Sequence, residues 1–87
     1  MLSRFRVIGH SMEPHFYAGD YLIIRKFGKP RVGDVVAIDY NDKKMLKRVL
    51  KIDSGKYFLR GDNQHDKKIY VVSRKQIIGK LLWHIRK

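Results

Sequence analysis

A serine near the start of the chain and a lysine in its middle could form a nucleophile and its base. Ser11 lies in the segment Gly9-His10-Ser11-Met12-Glu13-Pro14, and Lys47 lies in an apolar run over residues 45–52. A serine hydroxyl is a weak nucleophile until a base accepts its proton, and a lysine serves as that base only when its amine is largely uncharged. If the fold brings the two residues together, the pair predicts hydrolysis of an amide bond.

The demand on the lysine is severe, because an unperturbed lysine has a pKa of about 10.4 and needs a downward shift of roughly three units to be neutral at pH 7. Burial among apolar side chains can supply such a shift. As a strand, residues 45–52 place Met45, Lys47 and Val49 on one face, with Leu46, Arg48, Leu50 and Ile52 on the other. The alternative is an ordinary edge-strand lysine whose amine reaches water along its own stem.

Length and composition restrict the possible architectures. The chain has 87 residues with 44% hydrophobic content, which predicts one domain over residues 1–87. There is no cysteine, so disulfides and zinc-cysteine sites are excluded. The histidines show no spacing typical of metal ligands: His10, His15, His65 and His84. We therefore expect neither a metal nor another cofactor.

The charge balance is strongly basic, with 20 Lys and Arg against 8 Asp and Glu and a net charge of +12. The candidate partners are an anionic membrane surface, nucleic acid or an acidic substrate, and the charge can also serve solubility alone. A basic β-barrel that binds nucleic acid is the rival class, but the aromatic residues fall mostly in apolar strands without basic-aromatic alternation. No run is long and apolar enough to span a bilayer or act as a secretory signal, so we expect a soluble cytoplasmic or peripherally membrane-associated protein.

Short β-branched and apolar runs separated by turn residues predict strands along most of the chain. The predicted strands cover residues 5–8, 21–25, 35–40, 45–52, 57–60 and 77–83. Asn41-Asp42 predicts a hairpin turn, and Gly79 predicts a bulge or a close approach of two backbones. We expect an all-β fold, a small coiled sheet or partly open barrel, with at most one short helical turn after Ser11.

Five motifs then carry a resemblance that covers nearly the whole chain. They are Ser11-Met12-Glu13-Pro14, Gly19-Asp20, Gly33-Asp34-Val35-Val36, Lys47-Arg48-Val49 and Gly61-Asp62-Asn63. In order and spacing they resemble type I signal peptidases, the serine/lysine-dyad proteases, and in particular short anchorless members such as the nickel superoxide dismutase maturation proteases. The resemblance implies the coiled β-sheet fold that these enzymes share with the self-cleaving domain of SOS-type repressors.

The resemblance implies a role for each matching residue. Ser11 would be the nucleophile and supply one oxyanion donor through its backbone N–H, and Lys47 would be the general base. Gly9 stands where some members have a serine donor, and gives either a close backbone approach or only a turn. Met12 would form the wall beneath the nucleophile, or be a plain core methionine.

The segment that follows Gly61-Asp62-Asn63 departs from the family pattern. Asp62 and Asn63 would support the site through hydrogen bonds to backbone, or be unrelated turn residues. The segment that follows them is shortened, so Asp66 is the candidate carboxylate to brace the lysine amine. The serine that orients the lysine in signal peptidases has no counterpart, and we do not assign Ser73 that role.

The implied substrate is a precursor protein or peptide, bound as an extended strand and cut near a terminus, with small residues before the cut. The related self-cleaving activity needs a cleavage segment before the serine. Only ten residues precede Ser11, so we do not expect self-cleavage. The oligomeric state stays open.

Overall fold

The computed structural model describes residues 2–26 and 28–87, and their secondary structure is almost entirely β. The strands are β1 (Leu2–Arg6), β2 (Tyr21–Arg25), β3 (Val35–Tyr40), β4 (Lys43–Asp53), β5 (Lys56–Arg60), β6 (Ile69–Ser73) and β7 (Ile77–Ile85). They form one antiparallel sheet in the order β1-β2-β7-β3-β4-β5-β6, which does not close into a barrel. The prediction of an all-β fold is confirmed.

Helical structure is minimal in the described ranges. A 3-10 turn over Arg74–Gln76 precedes β7, and no α-helix is present in residues 2–26 and 28–87. The predicted helical turn after Ser11 is one turn long, and in it the Phe16 N–H donates to the Met12 carbonyl at 3.0 Å. None of the helical structure described is long and apolar enough to cross a membrane.

The central hairpin shows why these residues form these strands. Asn41 and Asp42 adopt φ of 50° and 64°, the left-handed conformation that asparagine and aspartate tolerate best. This turn fixes the register of β3 against β4, so Val36 lies opposite Lys47. Directly opposed residues of antiparallel strands point to the same face, and Lys47 therefore shares the face of Val36.

Both faces of β3 are buried, because the sheet folds around this strand. Val36 and Ile38 belong to one cluster, which we call the β5–β6 cluster: Val36, Ile38, Val49, Tyr57, Leu59, Tyr70, Val72 and Ile77. Val35 and Ala37 point the other way into the serine-side cluster: Val7, Met12, Phe16, Leu22, Ile24, Val35 and Ala37. The fold thus has two small cores, and the chain can place a site where they meet.

Several predicted strand boundaries are wrong. The first strand covers Leu2–Arg6 rather than residues 5–8, because Val7 bonds instead to the segment before β2: its N–H donates to the Asp20 carbonyl at 2.8 Å, and its own carbonyl accepts from Gly19 at 2.9 Å. The strand Ile69–Ser73 was not predicted, although its apolar residues pair with β5 along its whole length. At Gly79, a Cβ atom would collide with the Arg25 carbonyl, which confirms the predicted close approach.

Asp20 links the last residues of the chain to the segment that precedes β2. Its carboxylate is 1% exposed and accepts hydrogen bonds from the backbone N–H of Tyr17 at 3.0 Å and of Lys87 at 3.1 Å. His84 Nε2 lies 2.8 Å from the same carboxylate. The two backbone hydrogen bonds, followed by the contact with His84, lower the pKa of Asp20 to about 2. This carboxylate holds the end of β7 against the segment that leads out of the Ser11 turn.

Candidate active site

Ser11 lies in a tight turn that follows β1. Gly9 has φ of +81°, which glycine adopts without strain, and it starts the turn. The Glu13 N–H closes it by donating to the His10 carbonyl at 3.1 Å. Met12 is only 2% exposed and anchors the turn in the serine-side cluster, which leaves Ser11 half-buried beside it.

The loop over residues 61–63 packs directly against this turn. The Asn63 N–H donates to the Ser11 carbonyl at 2.7 Å, and its side-chain amide donates to the His10 carbonyl at 2.9 Å. A Cβ atom on Gly61 would lie 2.5 Å from the Ser11 carbonyl oxygen, so only glycine fits at this position. The Asp62 N–H faces Met12 Sδ at 3.4 Å. The loop therefore fixes the backbone that carries the serine.

Arg48 and His15 hold the Asp62 side chain, which is only 8% exposed. Arg48 donates from Nε at 2.8 Å and from Nη2 at 2.7 Å, and its Nη1 donates to the Gly33 carbonyl at 2.7 Å. His15 Nδ1 lies 2.9 Å from the same carboxylate. Burial acts to raise the pKa of Asp62, but the hydrogen bonds and charge of Arg48, with His15, outweigh it and hold that pKa below its usual range. The hydrogen bond to Asp62 in turn raises the pKa of Arg48.

Lys47 is buried on β4, with only 5% of its side chain exposed. Its Nζ lies 3.6 Å from Asp66 Oδ2 and 5.0 Å from the centre of the Tyr70 ring. The alternative that Lys47 is an ordinary edge lysine reaching into water is therefore wrong. Asp66 is the carboxylate beside the amine, and Tyr70 covers it from the β5–β6 cluster.

Ser11 and Lys47 line one groove of about 920 Å³. One wall is β1, an edge strand of the sheet, and the other is the first part of β4, which pairs with β5 only from Arg48 onward. Met12 and Tyr70 also line it, so the groove lies where the two clusters meet. Within residues 2–26 and 28–87, no hydrogen bond joins Ser11 Oγ to Lys47 Nζ.

The other predicted site residues lie around this groove. Asp62 and Asn63 stand behind the serine turn, and Asp66 stands beside the lysine amine. Gly9 is exposed, and the space in which its Cβ would lie is open, with no atom of the described chain within 4 Å.

His15 and Arg48 are the residues that sequence reasoning missed. An aspartate that orients a histidine near a serine is also the arrangement of a catalytic triad, so His15 is a rival base for Ser11. His15 is 61% exposed and is not among the residues lining the groove, whereas Lys47 is buried and lines it. The available signal for Arg48 was its position next to Lys47 on a strand. Neighbouring side chains of a strand face opposite sides, so Arg48 points away from the face that carries the lysine.

No group of three or more His, Cys, Asp or Glu side chains is arranged to hold a metal ion in the part of the chain that the structure describes. Among the residues that line the groove, Ser11 carries a hydroxyl and Lys47 an amine.

Comparison with known proteins places this architecture in a family. The family model described as Peptidase S24-like matches residues 3–82, a range that spans all seven strands apart from Leu2 of β1 and the last three residues of β7. A search of curated proteins finds no match. The match confirms, at the level of the family, the expected kinship with peptidases, while the resemblance to signal peptidases in particular stays a prediction.

Proposed function

We propose, from the premise that this chain belongs to the Peptidase S24-like family, that it is a serine endopeptidase with Ser11 as nucleophile and Lys47 as base. The observation that carries the proposal is that these residues, distant in sequence, line one groove and that the lysine is buried there. A lysine amine that must accept a proton needs such a water-poor position.

The chemistry would run through an acyl-enzyme. The neutral Lys47 amine accepts the proton of Ser11 Oγ as that oxygen bonds to the carbonyl carbon of the substrate. The protonated amine then gives this proton to the departing amine of the peptide, and the amide bond breaks. In the second half, Lys47 takes a proton from water, whose oxygen attacks the ester carbon, and returns it to Ser11 Oγ as the carboxyl product leaves.

Two features support this sequence of steps. The Ser11 N–H has no hydrogen-bond acceptor within residues 2–26 and 28–87, so it is available to the oxyanion of the tetrahedral intermediate. The open space at Gly9 allows a substrate backbone to approach the serine. Direct contact of Nζ with Oγ is needed during reaction, and such contacts are often looser in the free enzyme than in the substrate complex.

The substrate would be an extended segment of a precursor protein. The outer edge of β1 presents backbone groups without a strand partner, and so does the side of residues 43–47 of β4 that faces away from β3; both border the groove. A peptide laid between them can pair as an added strand. The five signal-peptidase motifs favour removal of a leader or terminal segment, with small residues next to the cut.

Cleavage of a small-residue peptide tests the roles of the two residues. Ser11→Ala, Lys47→Ala and Lys47→Arg should each reduce kcat/KM on the order of a thousandfold or more. The matched controls Ser54→Ala and Lys51→Ala, in an exposed turn and on the exposed part of β4, should stay near the parent. If His15→Gln costs as much as Lys47→Ala, the base is His15 and the proposal is wrong.

A second test needs no substrate. Because the chain has no cysteine, Ser11→Cys introduces a unique thiol. A lysine that accepts the thiol proton becomes a cation beside the thiolate, and a moderate effect of this kind lowers the thiol pKa from about 8.5 to about 7 to 7.5. Alkylation by iodoacetamide at pH 6.5 should therefore be about three- to fivefold faster in Ser11→Cys than in Ser11→Cys/Lys47→Met, after allowance for the weaker nucleophilicity of an acidic thiol. Equal rates would mean that the lysine does not reach the serine position.

A further inference from the structure

The groove beside Ser11 is lined by basic side chains along its length. They come from β1, from the residue after β2 and from the first part of β4: Arg4, Arg6, Lys26, Lys43, Lys44 and Lys47. Among the described residues that line the groove, none is an aspartate or a glutamate. An extended peptide in this groove would therefore lie among positive charges.

Two of these six basic side chains already have a carboxylate neighbour. Lys47 faces Asp66 at 3.6 Å, which belongs to the site itself. Lys44 Nζ lies 3.9 Å from Asp39, and both of these side chains are at least half exposed, so the pair is weak. The charge near the serine is thus partly balanced, and the charge farther along the groove is not.

The remaining four cations have no carboxylate partner within residues 2–26 and 28–87. Arg4 and Arg6 each lie 5.8 Å from the centre of the Tyr21 ring, a contact that leaves the positive charge in place. Lys26 and Lys43 form no ion pair with any residue the structure describes. These four charges are available to a ligand of opposite sign.

The position of Lys43 on β4 indicates how far its charge lies from the bond that is cut. Lys43 precedes Lys47 by four residues on one continuous strand, which corresponds to about 13 Å. A peptide laid beside this strand has nearly the same rise per residue. A side chain three or four residues from the bond that faces Ser11 would therefore lie near Lys43.

We propose that the groove selects acidic peptides, with an aspartate or glutamate three or four residues from the bond that is cut, and that Lys43 is a specificity-determining residue. This inference rests on the proposed function of the same site. The alternative is that the lysines only prevent unpaired strand edges from joining other chains. Under that alternative, the charge of the peptide affects cleavage only through the overall attraction between the peptide and this basic protein, and not through Lys43.

The test compares three fluorescent peptides that share a small-residue core and carry Glu, Gln or Lys three and four residues from the central bond. One series places these residues before the bond and another places them after it. At about 50 mM salt, one of the two Glu series should be cleaved roughly two- to fivefold faster per acidic residue than its Gln counterpart, and the Lys peptide more slowly. The preference should shrink at 0.5 M salt.

Charge reversal identifies the residue responsible. Lys43→Glu should remove or invert the preference between Glu and Lys peptides. Lys75→Glu is the matched control, because Lys75 is exposed in the 3-10 turn and does not line the groove, while its reversal changes the net charge equally. The control should keep the preference of the parent chain.

The outcomes separate this inference from the proposed function. Cleavage with no difference between Glu and Lys peptides overturns the inference and leaves the peptidase assignment standing. An equal loss of preference in Lys75→Glu and Lys43→Glu also overturns it, since net charge would then explain the effect. If no peptide is cleaved, anisotropy with the Ser11→Ala variant measures binding of the same peptides. Equal affinities for Glu and Lys peptides would refute charge selection, whereas tighter binding of the Glu peptide would support it even with the peptidase assignment lost.

Discussion

Replacing Arg48 by methionine should loosen the serine turn without unfolding the protein. The guanidinium makes two hydrogen bonds of 2.8 and 2.7 Å to the Asp62 carboxylate, whose side chain is 8% exposed, while Arg48 itself is 33% exposed. Breaking a fully buried pair costs about 3 to 5 kcal/mol, and exposed pairs contribute about 0 to 1 kcal/mol. The partial exposure of Arg48 places the expected loss between these limits, at about 2 kcal/mol. A small domain with a stability of about 5 to 15 kcal/mol survives such a loss.

Urea denaturation measures the loss in the free energy of unfolding. If this free energy falls by about 1 to 2 kcal/mol per molar urea, a loss of about 2 kcal/mol lowers the denaturation midpoint by about 1 to 2 M. Hydrogen exchange at the Asn63 amide, which donates to the Ser11 carbonyl at 2.7 Å, reports the local effect and should show reduced protection. Arg74→Met is the matched control, because among the described residues the Arg74 guanidinium donates to two backbone carbonyls and to no carboxylate. In a double-mutant cycle with Asp62→Asn, the two losses should be strongly non-additive. Additive losses, or an Arg48→Met variant as stable as the parent, would refute the reasoning.

Three further predictions concern stability and the serine turn. The pKa of Asp20 falls from 3.8 to about 2 on folding, so its contribution to stability is present above pH 3.8 and is lost as the pH falls toward 2. Denaturation midpoints should therefore decline over this window in the parent and decline less in Asp20→Asn, and parallel pH curves would contradict the assignment. Gly61→Ala places a Cβ 2.5 Å from the Ser11 carbonyl oxygen, so peptide cleavage should fall at least tenfold in a protein that still folds; unchanged kcat/KM would show that the turn tolerates the shift. Gly79→Ala places a Cβ against the Arg25 carbonyl, and neither of these residues lines the groove, so it should cost about 1 to 3 kcal/mol of stability while the folded fraction keeps its kcat/KM. A selective loss of activity in Gly79→Ala would show that the two regions are coupled.

The strands that sequence predicted well are those with local signals of their own. Residues 21–25 and 35–40 were predicted with the bounds observed in Tyr21–Arg25 and Val35–Tyr40, because β-branched runs end there at polar turn residues. The hairpin at Asn41-Asp42 was predicted because these residue types accept the positive φ that the turn requires. Local backbone preferences and the global fold agree in these segments.

The errors are of two kinds. The strand Ile69–Ser73 was not predicted, although its run of Ile, Tyr and Val is itself typical of strands and pairs with β5 along its whole length. The first strand was predicted at residues 5–8, although the pairing of Leu2 with Arg25 moves it toward the start of the chain. Alternation alone leaves such a shift undetermined, since any register that keeps the same residues inward satisfies it.

The sequence indicates which residues of the candidate site could do chemistry, but it does not indicate the contacts that hold them in place. Ser11 and Lys47 carry chemistry that a sequence displays, and the motifs around them limit their roles. The clamp of Arg48 on Asp62 joins strand β4 to a loop beyond β5, and the backbone contact of Gly61 with Ser11 joins that loop to the turn after β1. Long-range contacts of this kind follow from the folding of the sheet around β3, which no local pattern encodes.

The folding of the sheet also explains how so small a chain can bury a lysine in a groove that Ser11 lines as well. A flat sheet with one core would place Lys47, opposite Val36, on one face, and the turn that packs with Val35 and Ala37 on the other. Because both faces of β3 are covered, the two cores meet at the free part of β4, where neither covers the groove completely. The Lys47 amine lies 5.0 Å from the ring centre of Tyr70, a member of the β5–β6 cluster, and Met12 anchors the serine turn in the serine-side cluster. A substitution that weakens either core should therefore change the position of Ser11 relative to Lys47, even when it touches neither residue.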